Sequence, residues 1–203
     1  MSESGLRERK KRRMYRTVSD IAIRMFLERG FDAVSVAEVA AAAEISKPTL
    51  FRYFPAKEDL VLYRIADHEE EPARVVREGP TPLEALRRHF LEGLERRDPV
   101  TGLNDDPEVL AFHTLLYGTP SLVARLYRQL ERTEEALAEA LGGGLDARLA
   151  AGQVVAVRRI LAQENWRRIA AGERLDDVRE DAVAAAERAF GVLTGVLTDS
   201  VTE

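Results

Sequence analysis

Residues 35–57 read SVAEVAAAAEISKPTLFRYFPAK, a pattern that indicates two short helices separated by a tight turn. Ser35 followed by Glu38 is a capping-box pattern, which predicts a helix of about eight residues. Ser46 ahead of Pro48 is typical of a second helix start, with serine as the N-cap and proline in the first turn. The stretch therefore predicts a helix-turn-helix, whose second helix enters the major groove of duplex DNA.

The second helix of this pair is predicted to turn a polar face toward DNA. Leu50 and Phe54 lie four residues apart, so they share a face and are expected to pack inward. The first residues of such a helix meet base edges in the major groove. We expect the bases to be contacted by Lys47, Thr49 and Arg52, with Tyr53 also facing outward.

The sugar-phosphate backbone is expected to be held on both sides of that helix. Ser35, at the N-terminus of the first helix of the pair, and Lys57, beyond the second, occupy suitable positions. A basic run that contains Arg12 and Arg13 precedes them and is predicted to grip phosphates as an arm. The alternative for this run is a solvated helix end.

Charge is distributed unevenly along the chain. Residues 1–59 hold 12 Lys and Arg against 9 Asp and Glu, whereas residues 60–203 hold 18 against 26. The net charge of -5 therefore conceals a basic N-terminal part, which suits phosphate binding, and an acidic remainder, which phosphates would repel. We predict two domains: a DNA-binding domain over residues 1–56 and a larger domain over residues 57–203.

The composition is that of a globular protein, with 203 residues of which 45% are hydrophobic and 32% charged. No run of about 18 apolar residues predicts a membrane span, and no signal-peptide pattern opens the chain. We therefore expect a cytoplasmic protein without a membrane partner. Because there is no cysteine, disulfides, thiolate metal sites and cysteine nucleophiles are excluded.

Apolar residues recur with the 3.6-residue period of helices, and alternating β-branched segments are absent, so the predicted fold class is all-α. A fourth helix is expected to run from Lys57 toward Glu71, where Pro72 ends or kinks it. Thr81 followed by Glu84 repeats the capping-box pattern and predicts another helix start. Long helices follow to the C-terminus.

The DNA-reading segment resembles the TetR family of transcriptional regulators over about residues 13–62. The resemblance implies a homodimer with a three-helix DNA-binding domain and a divergent helical domain, whose ligand changes the spacing of the two DNA-reading helices. Most members of that family are repressors. The matching segments are Gly30-Phe31, residues 35–40, Ile45-Ser46, residues 49–54 and residues 57–60.

Matched by position, the resemblance assigns roles to individual residues and also shows two departures. Glu44 stands where the family usually has glycine in the turn, and Phe51 replaces a common tyrosine whose hydroxyl binds the phosphate backbone. The implied phosphate-contacting positions are Ser35, Thr49, Tyr53 and Lys57. The implied base-facing positions are Lys47, Pro48, Thr49 and Arg52.

The larger domain is predicted to sense an unidentified small-molecule effector. Aromatic and histidine side chains on its middle helices either line a ligand pocket or belong to the core. No cofactor, metal site or enzymatic role is expected, because no Gly-rich phosphate loop, nucleophile elbow or metal-spaced histidine pair occurs. The candidate pocket residues are His89, Phe90, Phe112, His113, Tyr117 and Trp166.

The last helix carries apolar residues at near-heptad spacing beside many small residues. These side chains are predicted to form a homodimer interface, and the alternative is that they only close the core of a single chain. A two-fold dimer would bind a pseudo-palindromic operator in double-stranded DNA. The candidate interface residues are Ala186, Phe190, Leu193 and Leu197.

Overall fold

The computed structural model describes residues 3–66, 68–79 and 81–199, without the side chains of residues 3–8, 10 and 194–199. Within these ranges every regular element is a helix, which confirms the all-α prediction. The helices are α1 (Glu3–Arg29), α2 (Val36–Ala42), α3 (Lys47–Tyr53), α4 (Asp59–Ala66), α5 (Glu71–Glu78), α6 (Pro82–Glu95), a 3₁₀ turn (Pro99–Thr101), α7 (Pro107–Gly118), α8 (Pro120–Ala140), α9 (Gly144–Ala170) and α10 (Leu175–Asp199). None of the described helices has the length and apolar character that crossing a membrane requires.

The chain forms two compact units, one comprising residues 1–67 and 111–127 and the other residues 68–110 and 128–203. The first unit extends past the predicted boundary between residues 56 and 57 because α4 packs on α1. Leu60 and Val61 of α4 are fully buried, and the buried hydroxyl of Ser19 donates a hydrogen bond of 2.7 Å to the Leu60 carbonyl. The functional boundary at residue 57 stays a prediction.

The core of the first unit is built from one apolar face of each of its early helices. Phe26 of α1 and Val39 of α2 are buried together with Leu50 of α3 and Phe54, which ends it. Each large side chain that is fully removed from water contributes about 2 kcal/mol to folding. The inward orientation predicted for Leu50 and Phe54 is confirmed.

The second unit has a separate core formed by α5, α6, α8, α9 and α10. The Phe90 and Phe190 rings lie 6.1 Å apart between centroids, and both side chains are buried. Leu137, Val154 and Val178 belong to the same cluster.

The predicted continuation of the fourth helix to Glu71 is wrong. Helix α4 ends at Ala66, and Pro72 lies in the first turn of a separate helix, α5. Proline is tolerated there because the first N–H groups of a helix have no partner within it, so a missing donor costs nothing.

The capping box predicted at Thr81 does not form, although the helix begins there as expected. The Thr81 side chain makes no capping hydrogen bond. Glu84 instead pairs with Arg87, whose Nε and Nη2 atoms donate bonds of 3.0 and 2.8 Å to its carboxylate. The Arg87 guanidinium, one turn further along the helix, thus binds the Glu84 carboxylate that a capping box would use.

Candidate nucleic-acid interface

The start of α2 has the capping box that the sequence predicts. The Glu38 N–H donates to the Ser35 hydroxyl at 3.2 Å, and the Ser35 N–H donates to the Glu38 carboxylate at 2.8 Å. Arg29 adds an ion pair of 2.7 Å from α1. The backbone donor of Ser35, followed by the Arg29 guanidinium, lowers the pKa of Glu38 to about 2. The capping carboxylate is therefore ionised at every physiological pH.

The turn between α2 and α3 passes through a left-handed residue that is not glycine. Glu44 has φ 55°, and the Glu44 and Ile45 N–H groups donate to the Ala41 and Ala40 carbonyls at 3.1 and 3.0 Å. These bonds close the C-terminus of α2 as a glycine would. The departure at Glu44 is thus accommodated by strain in the backbone, which costs about 1 kcal/mol.

Helix α3 begins as predicted, with Ser46 as its N-cap and proline in its first turn. The Ser46 side chain accepts a bond of 3.2 Å from the Thr49 N–H, and the two hydroxyl oxygens lie 2.7 Å apart. Thr49 is half-buried. Because of these hydrogen-bond distances, the Thr49 hydroxyl is part of the cap, whereas the Thr49 methyl group is not.

The predicted base-facing residues differ in how far they are exposed. Lys47, Pro48 and Arg52 are exposed, while Thr49 and Tyr53 are half-buried. Each of the two cations lies against an aromatic ring of the same helix. The Lys47 Nζ atom is 5.8 Å from the Phe51 ring centroid, and the Arg52 guanidinium carbon is 5.3 Å from that of Tyr53. Base contact by these residues stays a prediction.

Phe51 lies on the surface of α3, a placement that the sequence analysis did not predict. The side chain is 40% exposed on a helix whose other apolar residues, Leu50 and Phe54, are buried. Its position directly after Leu50 was the available signal, because consecutive residues on a helix point in different directions.

The predicted phosphate-contacting residues occupy different surroundings. Ser35 is exposed, and so are Arg12 and Arg13 on α1. Tyr53 packs edge-on against Tyr15, with ring centroids 5.1 Å apart. Lys57 donates to the Phe31 carbonyl, and its ammonium lies 4.3 Å from the Phe31 ring centroid. An ammonium has three donors, so this bond leaves Lys57 capacity for a phosphate.

An ion pair fixes the first turn of α4 beside this surface. Arg125 of α8 donates bonds of 2.8 and 3.0 Å to the two carboxylate oxygens of Asp59. One of these oxygens also accepts the Ala56 N–H at 3.0 Å. The two-bond geometry and partial burial make this pair stronger than an ordinary surface ion pair. The sequence alone gave no sign of it because 66 residues separate the partners.

The candidate pocket residues fall into two sets, which are described within their own units. In the second unit Phe90 is buried, and His89 and Trp166 are half-buried. In the first unit, burial and the nearby charge of Arg64 lower the pKa of His113 to about 4, so this imidazole is neutral at pH 7. Phe112 and Tyr117 flank that imidazole at ring distances of 5.7 and 6.0 Å. A shared ligand pocket stays a prediction.

A cluster of ionisable side chains, which the sequence did not reveal, surrounds Glu71 in the second unit. Its carboxylate lies 3.4 Å from His68, 3.5 Å from Arg158 and 3.7 Å from His89. Burial alone raises the pKa of Glu71, but the hydrogen bond from His68 and the positive charges lower it to about 2. The same hydrogen bond raises the pKa of His68, while burial lowers that of His89. We name these four residues the Glu71 cluster.

The predicted dimer-interface residues lie mostly inside the chain's own core. Ala186 and Phe190 are 0% exposed and Leu193 is 6% exposed, while the side chain of Leu197 lies outside the described residues. The first three side chains belong to the core of the second unit, so little of their surface faces solvent. Elsewhere on α9 and α10, Leu149, Ile160 and Val183 are exposed.

Among the described residues, no group of three or more His, Cys, Asp or Glu side chains is arranged to hold a metal ion. The Glu71 cluster is instead held together by its own opposite charges. It provides an ionic network within the second unit, in contrast with the solvent-facing cations of α3.

Comparison with known proteins gives matches to bacterial regulators. The family described as "Bacterial regulatory proteins, tetR family" matches residues 19–63. The HTH-type transcriptional regulator TcmR of Streptomyces glaucescens is 35% identical over 138 residues, which cover 66% of this chain and 61% of that protein. The chain thus aligns with about three fifths of that relative's length.

Solved structures resemble nearly the whole chain. Native NalD, described as the secondary repressor of the MexAB-OprM multidrug efflux pump in Pseudomonas aeruginosa, gives a TM-score of 0.59 at 18% identity, over 89% of this chain and 96% of NalD. The SmeT–triclosan complex gives a TM-score of 0.59 at 16% identity, over 88% of this chain and 90% of SmeT. At these identities the likeness shows a shared fold.

Proposed function

The chain belongs to the TetR family of bacterial regulators, and from this premise we propose that it is a homodimeric repressor that leaves its operator when a small molecule binds. The observation that carries the proposal is the exposed face of α3. There, Lys47 and Arg52 project from a helix whose start is fixed by the Ser46 cap and whose inner face is buried. Such a helix suits direct reading of the major groove.

The homodimer is proposed because one recognition helix reads only one half-site. A two-fold pair places its recognition helices about 34–36 Å apart, or a multiple of that distance, on a pseudo-palindromic operator. The exposed apolar side chains Leu149, Ile160 and Val183 on the last two helices are available to a second copy. They replace Ala186, Phe190 and Leu193 as interface candidates.

The effector is proposed from the fold that the chain shares with NalD and SmeT over 89% and 88% of its length. NalD is described as a repressor and SmeT was solved with triclosan, which supports ligand-controlled repression for this fold. A ligand that binds one dimer state more tightly than the other shifts the population toward that state. Release from DNA follows when the favoured state holds the recognition helices at the wrong spacing. A cytoplasmic location is part of the proposal.

The DNA-binding half of the proposal is tested with an operator obtained by repeated selection of random duplexes on the purified protein. The double variant K47A/R52A should lower the preference for that operator over random DNA by at least about 30-fold, because each base-contacting cation contributes 1–3 kcal/mol. Fluorescence anisotropy at fixed salt measures the preference. R77A/R88A removes two exposed cations from the second unit and should leave the preference unchanged. Unchanged preference in K47A/R52A contradicts the assignment.

The effector half is tested by adding compounds to the complex with the selected operator. An effector should release the DNA and be recovered intact, whereas an enzyme's substrate would be consumed. Mass spectrometry of the compound after release distinguishes these outcomes. If no compound from a broad library shifts the anisotropy, ligand control is contradicted while the DNA-binding assignment stands.

A further inference from the structure

The exposed Phe51 ring lies in the middle of the proposed DNA-reading surface. A single exposed apolar side chain is ordinary on protein surfaces, so exposure alone implies nothing. Here, however, the ring follows Lys47 by one helical turn and directly precedes Arg52. Because the ring lies beside Lys47, a duplex bound by that cation would lie near the ring.

Lys47 and Phe51 share one flank of α3 and contact each other. The Lys47 ammonium lies 5.8 Å from the ring centroid, within the range of a cation–π interaction. At an exposed site such an interaction contributes only about 0.5–1 kcal/mol, so it brings the two side chains together without fixing either. The ring therefore lies beside the base that Lys47 is proposed to contact.

The chemistry of the Phe51 ring limits which groups of DNA it can recognise. A phenyl ring has no donor or acceptor, so it cannot make a conventional hydrogen bond to phosphate oxygens or to the polar atoms of base edges. The major-groove edges of the bases carry one apolar substituent, the C5-methyl group of thymine. Phenylalanine is among the side chains that contact it in known complexes.

We propose that Phe51 reads a thymine C5-methyl group in each operator half-site, next to the base contacted by Lys47. This inference rests on the proposed function and adds a base preference to it. Burial of one methyl group corresponds to about a fourfold change in affinity per half-site.

The test replaces each thymine of the selected operator in turn with deoxyuridine, which removes only the methyl group. With the wild-type dimer, symmetric replacement of one thymine per half-site should weaken binding about 16-fold, the square of the effect at one site. The F51A variant should bind thymine and deoxyuridine operators equally at that position. F51L, which keeps an apolar side chain, should retain part of the preference and controls for folding.

K47A is the matched control, because it removes the neighbouring cation and leaves the ring. It should bind both operators more weakly and retain the methyl dependence. If no thymine shows methyl dependence, or if F51A keeps the wild-type dependence, the inference is overturned while sequence-specific binding stands. If selection yields no preferred operator at all, the proposed function itself fails, and the inference fails with it.

Discussion

The α2–α3 segment and the Glu71 cluster are both charged sites, but they are assembled in opposite ways. The segment gathers its polar groups within 23 consecutive residues, and most of them face solvent. The cluster joins residues 68, 71, 89 and 158 around one largely buried carboxylate. Local patterns therefore specify the first, whereas the second exists only after three helices have packed. Removing a charge from the cluster should lower the free energy of unfolding. Removing a charge from the segment should weaken DNA binding.

The largest effect on stability is expected for E71Q. Loss of the carboxylate removes the ion-pair partner of Arg158, whose side chain is 14% exposed, and breaking such a pair costs about 3 kcal/mol. Urea unfolding followed by circular dichroism measures the change. E70Q is the control, because Glu70 is exposed one residue away and should change stability by less than about 0.5 kcal/mol.

Falling pH provides an independent check on the same variant. The pKa of Glu71 is lowered from 4.5 to about 2, so its contribution is full above pH 4.5 and is lost as pH falls toward 2. The difference in unfolding free energy between wild type and E71Q should therefore shrink over that interval. A difference that stays constant down to pH 2 would show that the carboxylate's charge is not what stabilises the cluster.

A smaller effect is expected in the turn of the α2–α3 segment. E44G should stabilise the protein by about 1 kcal/mol, because glycine adopts φ 55° without strain. In a chain of this length the gain corresponds to a rise in Tm of about 3 °C. E44A removes the same charge but keeps a Cβ atom, so a Tm gain of equal size in E44A would refute the explanation by backbone strain.

The smallest effects compare the two capping patterns. S35A should cost about 1 kcal/mol, because it removes the side-chain acceptor of the Glu38 N–H. T81A should cost close to nothing, because the Thr81 side chain makes no capping bond. Thermal melting of both variants gives the comparison. Equal losses would mean that side-chain capping is not the reason that Ser35 matters.

Sequence patterns predicted contacts well between residues close together in the chain and poorly between residues far apart in it. Ser35, Ser46 and the inward pair Leu50 and Phe54 were predicted correctly, because their partners lie within a few residues or on the same helix face. Glu84 was assigned to a cap but binds Arg87, since two local partners competed for it. A local sequence pattern does not show which of two nearby partners a side chain will bind.

Contacts between residues far apart in the chain could not be predicted from sequence patterns in either unit. Near-heptad spacing in α10 marks an apolar face correctly, but it does not say whether that face meets the same chain or another. Ala186 and Phe190 turned out to be core residues for this reason. The Glu71 cluster and the Asp59–Arg125 pair depend on tertiary packing between distant helices, which no short motif encodes.

The Asp59–Arg125 pair limits how this protein can be rebuilt as a modular sensor. Residues 111–127 belong to the same compact unit as the DNA-reading helices, and Arg125 supplies two hydrogen bonds to the first turn of α4. A graft that transplants only the first 67 residues onto a foreign sensor would strip Asp59 of its partner. A chimera that takes this unit alone must transfer two separated pieces of gene, because a single crossover between residues 67 and 127 divides the unit.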